Sequence, residues 1–284
     1  MRRGPGLALA LTLLAPPACA AQFLGAQTWV GGWHGSGGYS GLWVSPDGRD
    51  FLTVSDRGGW VRGRLVRDAR GAVAGVEGAE RGAFLGRGGP LRGLSADAEG
   101  LAVRDGTVFV SFEQDHRVMR FADPAAPGER LPDIEGLAPP RPNNGLEALA
   151  VDAAGRLFAI TETAEPQGFP VFVGEGGVWT RAFHVSRRGG FLVVGADIGP
   201  DGRLYVLERD FALIGFRSRI RSFDPSGGDE REEMVSALGS HDNLEGLAIW
   251  RDDAGRLRAT MISDDNFRAV QRTEFVDYAL GDAD

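Results

Sequence analysis

The apolar positions of this chain come in short runs, each broken by a turn that contains glycine. The breaks are too frequent for long helices. Five stretches share one order of residue types: a small apolar strand, a Gly-containing turn, a second apolar strand, then an acid. They are SGLWVSPDGRDFLTVSD (Ser40–Asp56), EGLAVRDGTVFVSFE (Glu99–Glu113), EALAVDAAGRLFAITE (Glu147–Glu162), the shorter and looser DIGPDGRLYVLE (Asp197–Glu208), and EGLAIWRDDAGRLRATMISD (Glu245–Asp264). The leading acids stand at 99, 147, 197 and 245, a step of 48, 50 and 48 residues after a longer first step of 59 from Ser40. Turn chemistry makes the stretches β-hairpins, with Pro46-Asp47-Gly48, Arg104-Asp105-Gly106, Ala153-Ala154-Gly155 and Asp253-Ala254-Gly255 between β-rich runs. Downstream lie third-strand candidates at Arg117–Phe121, Gly177–Val185, Arg217–Phe223 and Val270–Tyr278. Short strands repeating at this period predict an all-β fold, a β-propeller of five or six blades. The sixth is sought in the irregular stretch Arg67–Ala96. Gln22–Val30 is a strand without a blade and is expected to complete the last blade and close the ring. A two-sheet sandwich leaves the regular step unexplained.

The first twenty residues depart from this pattern. Arg2 and Arg3 precede a short apolar core, Leu7–Leu14, and Ala18-Cys19-Ala20 fits a small-x-small cleavage site. The expectation is a signal peptide over 1–20, then one domain over 21–284, periplasmic or secreted. The apolar run is too short to span a bilayer. Lipid modification of Cys19 and a twin-arginine signal fit less well, because Pro16 and Pro17 precede the cysteine and the residues flanking the arginine pair are wrong. Cleavage removes the single Cys and with it any disulfide or thiol chemistry. The chain has no Lys, so all 31 basic residues are Arg and lysine Schiff-base chemistry is excluded. The mature chain has 29 basic against 39 acidic residues, a net charge of −10. That balance argues against nucleic acid and anionic membrane as partners and suits cation binding.

In a hairpin the start of the first strand and the end of the second lie together. Glu99 is therefore expected beside Glu113, Glu147 beside Glu162, Asp197 beside Glu208, and Glu245 beside Asp264. In a propeller the first strand of each blade lines the axis, so the leading acids should ring the channel mouth with the second-strand acids around them. Such a set repels itself unless a cation or arginine is present. Arg57 (in SDRG) and Arg209 (in LERD) are placed to help. Strand-end acids also arise simply because they solvate loops and bond to turn amides. One chemical type recurring at one structural position favours a site. The expected metal is a hard, oxygen-seeking cation, Ca²⁺ before Mg²⁺, at a subset of Glu99, Glu147, Glu245 and Asp264. Zinc is disfavoured because no Cys survives and His34, His116, His184 and His241 have no ligand spacing. His241, in SHDNLEG four residues before Glu245, is the one histidine placed to serve as a general acid. There is no G-x-S-x-G elbow, no phosphate-binding GxxxxGK[ST], and no GxGxxG after a strand. GGWHGSGGY (Gly31–Tyr39) reads as a loop.

The motifs SGLWVSPDG…SDRG, DAEGLAV, GLEALAVDAAGRLFAITE, DGRLYVLERDF and NLEGLAI…ISDDNF resemble, in order, the signatures of the phytase-like β-propeller family named for "esterase-like activity of phytase". The resemblance runs from Ser40 to Phe267. It implies a hydrolase of phosphate or other esters, with Asp56, Glu99, Glu147, Glu162, Glu208, Glu245 and Asp264 as matching acids and Arg57, Arg209 and Asn266 beside them. The chain departs from the propeller phytases in lacking lysine. The expected division of labour has Glu162 or Glu208 as general base and Arg57 and Arg209 on the anionic group of a small ester or phosphoester. Asp56, Glu113 and Asn266 are expected to contact the substrate. The alternative is a non-catalytic envelope propeller that binds a ligand or protein partner, with several of the six Trp near strand ends.

Overall fold

The computed structural model describes residues 21–137 and 145–281. The expected signal peptide, 1–20, lies outside the described residues. In chain order, β1 (Gln22–Thr28) precedes a first sheet of β2 (Tyr39–Val44), β3 (Asp50–Ser55), β4 (Gly59–Arg67) and β5 (Val73–Ala83). A two-stranded ribbon, β6 (Leu85–Gly86) and β7 (Gly89–Pro90), leads to the second sheet, β8 (Ala98–Arg104), β9 (Thr107–Phe112), β10 (Arg117–Phe121) and β11 (Glu129–Arg130). The third sheet is β12 (Leu146–Val151), β13 (Leu157–Thr161), β14 (Phe169–Glu175) and β15 (Val178–Val185). The fourth is β16 (Leu192–Ile198), β17 (Leu204–Ala212), β18 (Gly215–Phe223) and β19 (Arg231–Val235). The fifth is β20 (Asn243–Arg251), β21 (Leu257–Asp264) and β22 (Glu274–Ala279), with β1 as its outer strand, paired antiparallel to β22.

The five sheets are the blades of a β-propeller. Their first strands touch in a closed ring, β2 to β8 to β12 to β16 to β20 and back to β2. Arg67–Ala96 supplies β5, the ribbon and a 3₁₀ turn (Gly93–Ala96) rather than a sixth blade. Gly177–Val185 is the outer strand of its blade, and the third strand, β14, was not expected. The hairpins between first and second strands turn as their sequences require. Asp105 and Gly106 both take positive φ (49° and 77°), the two-residue turn that matches strand twist.

Among the described residues the buried apolar side chains form no single core. Five apolar clusters each fill one gap between neighbouring blades, and Val54, Leu101 and Phe112 between the first two are typical. Second strands lie between two neighbours in their blade and between two blades, so β3 beyond Asp50, β13 and β21 are buried at every position, polar Thr53, Arg258 and Thr260 included, rather than alternating. Among the described residues no helix is long and apolar enough to cross a membrane.

Candidate functional site

Each of the five inner strands carries a bulge near its start. The bulges lie between Tyr39 and Gly41, Ala98 and Leu101, Leu146 and Ala148, Val193 and Gly195, and Leu244 and Gly246. An extra residue in a strand re-aims its side chain. The bulged residues are Ser40, Glu99, Glu147, Val194 and Glu245. The residue after each is Gly in four blades and Ala148 in the third, and the glycines are required by the crowding of five strands on one axis. A Cβ on Gly246 would lie 2.9 Å from the Leu42 backbone nitrogen, one on Gly100 2.8 Å from that of Leu149, and one on Gly195 2.2 Å from the Glu245 carbonyl oxygen. The E-G-L-A signature is thus a bulge that presents an acid followed by a residue small enough to let the next blade close in. Ser40, Glu99, Glu147 and Glu245 line a central cavity of about 10 Å³, room for one water-sized sphere. The axis is closed rather than an open channel.

A second tier surrounds the first. Continuing the register past each bulge brings Asp56, Glu113, Glu162, Arg209 and Asp264, at or just beyond the second strands, to one level. Four blades supply acids, and the fourth supplies the cation set among them. Arg209 Nη1 donates to Glu245 and, at 2.6 Å, to Asn243 Oδ1, while Nη2 stands 3.9 Å from Glu162. Asn243 passes its own amide to Glu245 Oε1 at 2.9 Å. In the second blade, oxygens of Asp97, Glu99 and Glu113 lie within 4.8 Å of one another.

The electrostatics follow from this crowding. Glu99 is held well above the usual carboxylate range by burial, then by Glu147 and Glu245. Glu147 is raised by burial and by Glu162 and Glu113, with Arg209 opposing. Burial raises Glu162 against the pull of Arg209. Asp264 is pushed to about 8 by burial and Glu245, and Asp56 to about 6 by burial and Asp97. Burial works against the charge of Arg209, and Glu245, Glu147, Glu162 and Asp264 outweigh it, so its guanidinium is held more firmly charged than usual.

The structure brings together Asp56, Glu99, Glu113, Glu147, Glu162, Arg209, Glu245 and Asp264. It removes Glu208 from the site. Successive residues in a strand face opposite ways, so Arg209, not Glu208, occupies the second-tier position of the fourth blade. Glu208 is 0% exposed inside that blade, accepting from Arg219 Nε at 2.8 Å and Arg221 Nε at 2.7 Å. It is a structural counter-ion and has no access to a water. His241 is also removed from the site: buried, its Nε2 lies 2.7 Å from Tyr278 Oη, its ring packs on Phe23, and burial lowers its pKa. Enclosed there, the imidazole faces Tyr278 rather than the carboxylate cluster and is not placed as a general acid. Arg209 is engaged by acids and has no free fork for a substrate anion. The fourth repeat was misaligned, because Val194 rather than Asp197 is the bulged residue. Asp197 is instead tied to the Ile249 N–H at 2.7 Å and raised to about 7 by burial. Arg57 is exposed at the rim with its guanidinium 3.2 Å from the Phe267 ring centroid. Asn266 is exposed, and its backbone N–H donates to Asp264 Oδ1 at 2.7 Å. Asp97, Asn243 and Asp265, which accepts from the Gly38 N–H at 3.0 Å and helps raise Asp264, were missed. The first two stand two residues before a bulged Glu, in D-x-E and N-x-E, and that same-face spacing is legible in a strand.

These features define a five-bladed propeller with a buried carboxylate cluster on its axis. The chain belongs to the phytase-like family described as "Esterase-like activity of phytase", which matches residues 34–267. No curated protein matches the chain. Among solved structures, it is similar to a gluconolactonase from Xanthomonas campestris (15% identity over 85% of this chain and 72% of that one, TM-score 0.46). It is also similar to a chain of a nidogen/laminin complex (17%, 74% and 73%, 0.45) and to the PQQ-bound aldose sugar dehydrogenase of Streptomyces coelicolor (13%, 93% and 100%, 0.48).

Proposed function

We propose that the protein is an exported hydrolase of phosphate or other esters whose carboxylate cluster takes a hard divalent cation, Ca²⁺. One observation supports this above the rest. Asp56, Asp97, Glu99, Glu113, Glu147, Glu162, Glu245 and Asp264 converge on one end of the axis, although burial and repulsion from neighbouring acids oppose the charges of Asp56, Glu99, Glu147, Glu162 and Asp264. The donor set fits the ion, being all oxygen. The 4.8 Å spread of Asp97, Glu99 and Glu113 suits two oxygens across one Ca²⁺ at about 2.4 Å each. Asp97, Glu99 and Glu113 would hold it, with Glu147, Glu245 and Asp264 as further donors. When bound, it would supply polarisation of the ester's phosphoryl or acyl oxygen.

The chain's own residues do the rest. Glu162, half-buried with its pKa raised, is suited to take a proton from the attacking water. Arg209, 3.9 Å away, keeps that carboxyl from being wholly silenced by its acidic neighbours. Arg57 at the rim meets the anionic group with a planar fork, and Asp56, Glu113 and Asn266 contact the substrate. We further read β1 as the strand that closes the ring, and residues 1–20 as a signal cleaved near Ala20 that delivers the protein to the periplasm or outside.

The test is a panel of phosphomonoesters, phosphodiesters and carboxylesters with and without Ca²⁺, together with melting curves. Ca²⁺ that binds only the folded state raises the melting temperature by mass action. Glu99→Gln or Glu113→Gln should abolish that rise. A rise that survives both substitutions places the cation elsewhere, and no turnover on any ester favours a binding propeller.

A further inference from the structure

Beside the cluster lies a cavity of about 430 Å³ between the glycine-rich loop 31–38 and the edge of the first sheet. That is within the range of small-molecule sites, roughly 300–1,000 Å³. Ser55 and Arg57 both line it, and Asp56 between them belongs to the carboxylate cluster, so the two sites share a wall. Gly35, Gly37, Gly59 and Gly82 add no side chains to the lining and keep it open. Trp33, Tyr39 and Trp60 make it aromatic.

Its two guanidiniums come from Arg57 and Arg81. Most arginines here are spent on acids, yet among the described residues neither of these forms an ion pair. Each is held instead by a ring face, Arg57 at 3.2 Å from the Phe267 centroid and Arg81 at 5.3 Å from that of Trp33. A stacked guanidinium keeps its in-plane N–H donors available, and those donors match the oxygens of a carboxylate or phosphate. The indole N–H of Trp60, in another lining residue, also has no acceptor among the described residues. In an acidic protein, two cations that form no ion pair among the described residues and share one aromatic cavity mark a place for an anion.

We propose that this cavity binds a small planar organic anion, its carboxylate or phosphate in the forks of Arg57 and Arg81 and its ring against Trp33. An ester carried by that anion then lies over the carboxylate cluster. The assignment of this anion as substrate rests on the hydrolase reading, whereas its binding does not. The sequence shows the loop as glycine-rich and Arg57 as a cation placed for an anionic group. Only the fold brings Arg81, twenty-four residues further on, to the same wall.

The experiment titrates tryptophan fluorescence of the mature protein with benzoate and phenyl phosphate, and with benzyl alcohol as a neutral ring of similar size. Both anions should quench saturably and the alcohol should not; the tighter of the two identifies the head group. Arg57→Gln and Arg81→Gln should each weaken binding at least about tenfold, as expected for loss of a charge-assisted pair. Arg81→Lys should recover part of it. Glu147→Gln should bind equally or more tightly, since it removes a repelling charge. Both arginines are exposed, so melting temperatures should stay near wild type. Quenching by benzyl alcohol equal to that by benzoate, or binding within twofold of wild type in both Gln variants, overturns the proposal. Arginine-dependent binding with no ester turned over keeps the cavity and removes the hydrolase. Turnover with KM unchanged in Arg81→Gln keeps the hydrolase and removes the cavity.

Discussion

Asp264→Asn in calcium-free buffer is the most direct probe of the cluster. Asp264 is 6% exposed and titrates at about 8 against an ordinary 3.8, because burial and Glu245 disfavour its charge. The folded state therefore holds a proton that the unfolded chain gives up near pH 4. Between pH 4 and 8 the folded state binds more protons, so stability falls as pH rises. Each unit is worth about 1.4 kcal/mol, and the full interval on the order of 5 kcal/mol, shared with the neighbouring acids that titrate alongside it. Asparagine keeps an oxygen for the Asn266 N–H (2.7 Å) and cannot ionise. The variant should match wild type near pH 4 and become progressively more stable than it up to pH 8. Urea denaturation at pH 4, 6 and 8 measures the difference. A variant less stable at every pH, or a difference that does not grow with pH, would falsify the account of Asp264 as a strained acid.

Two further outcomes test the placement of residues. Glu208→Gln should cost about 3–5 kcal/mol, the usual loss when one partner of a buried ion pair is removed, because Arg219 and Arg221 lose their counter-charge and one of its two accepting oxygens. Activity per folded molecule should be unchanged, and a loss of turnover in a stable variant would return Glu208 to the site. Gly195→Ala puts a Cβ 2.2 Å from the Glu245 carbonyl oxygen and should lose about 1–3 kcal/mol or more from overpacking. Equal denaturation midpoints would mean that the inner ring is looser than described.

The recurring hairpins made the propeller legible, since the strand–glycine turn–strand–acid order depends on local turn chemistry and on contacts within one blade. The same local logic located seven of the clustered acids, Asp56, Glu99, Glu113, Glu147, Glu162, Glu245 and Asp264, because a hairpin's two ends meet whatever surrounds it. Blade number was left between five and six, and the fourth repeat was misaligned by spacing. There the bulge falls on Val194, and a bulge is a property of two paired strands, invisible in either alone. That one-residue ambiguity decided Glu208 against Arg209, because a shift of one reverses the face of a strand. Burial of Glu208 among Arg219 and Arg221, enclosure of His241 by Tyr278 and Phe23, and the meeting of Arg57 with Arg81 all join residues distant in sequence. The sequence by itself determined which chemistry each hairpin carries. The tertiary structure alone decided which of those groups share one low-dielectric space, because burial and Coulomb interaction depend on distances that only the closing of the ring sets.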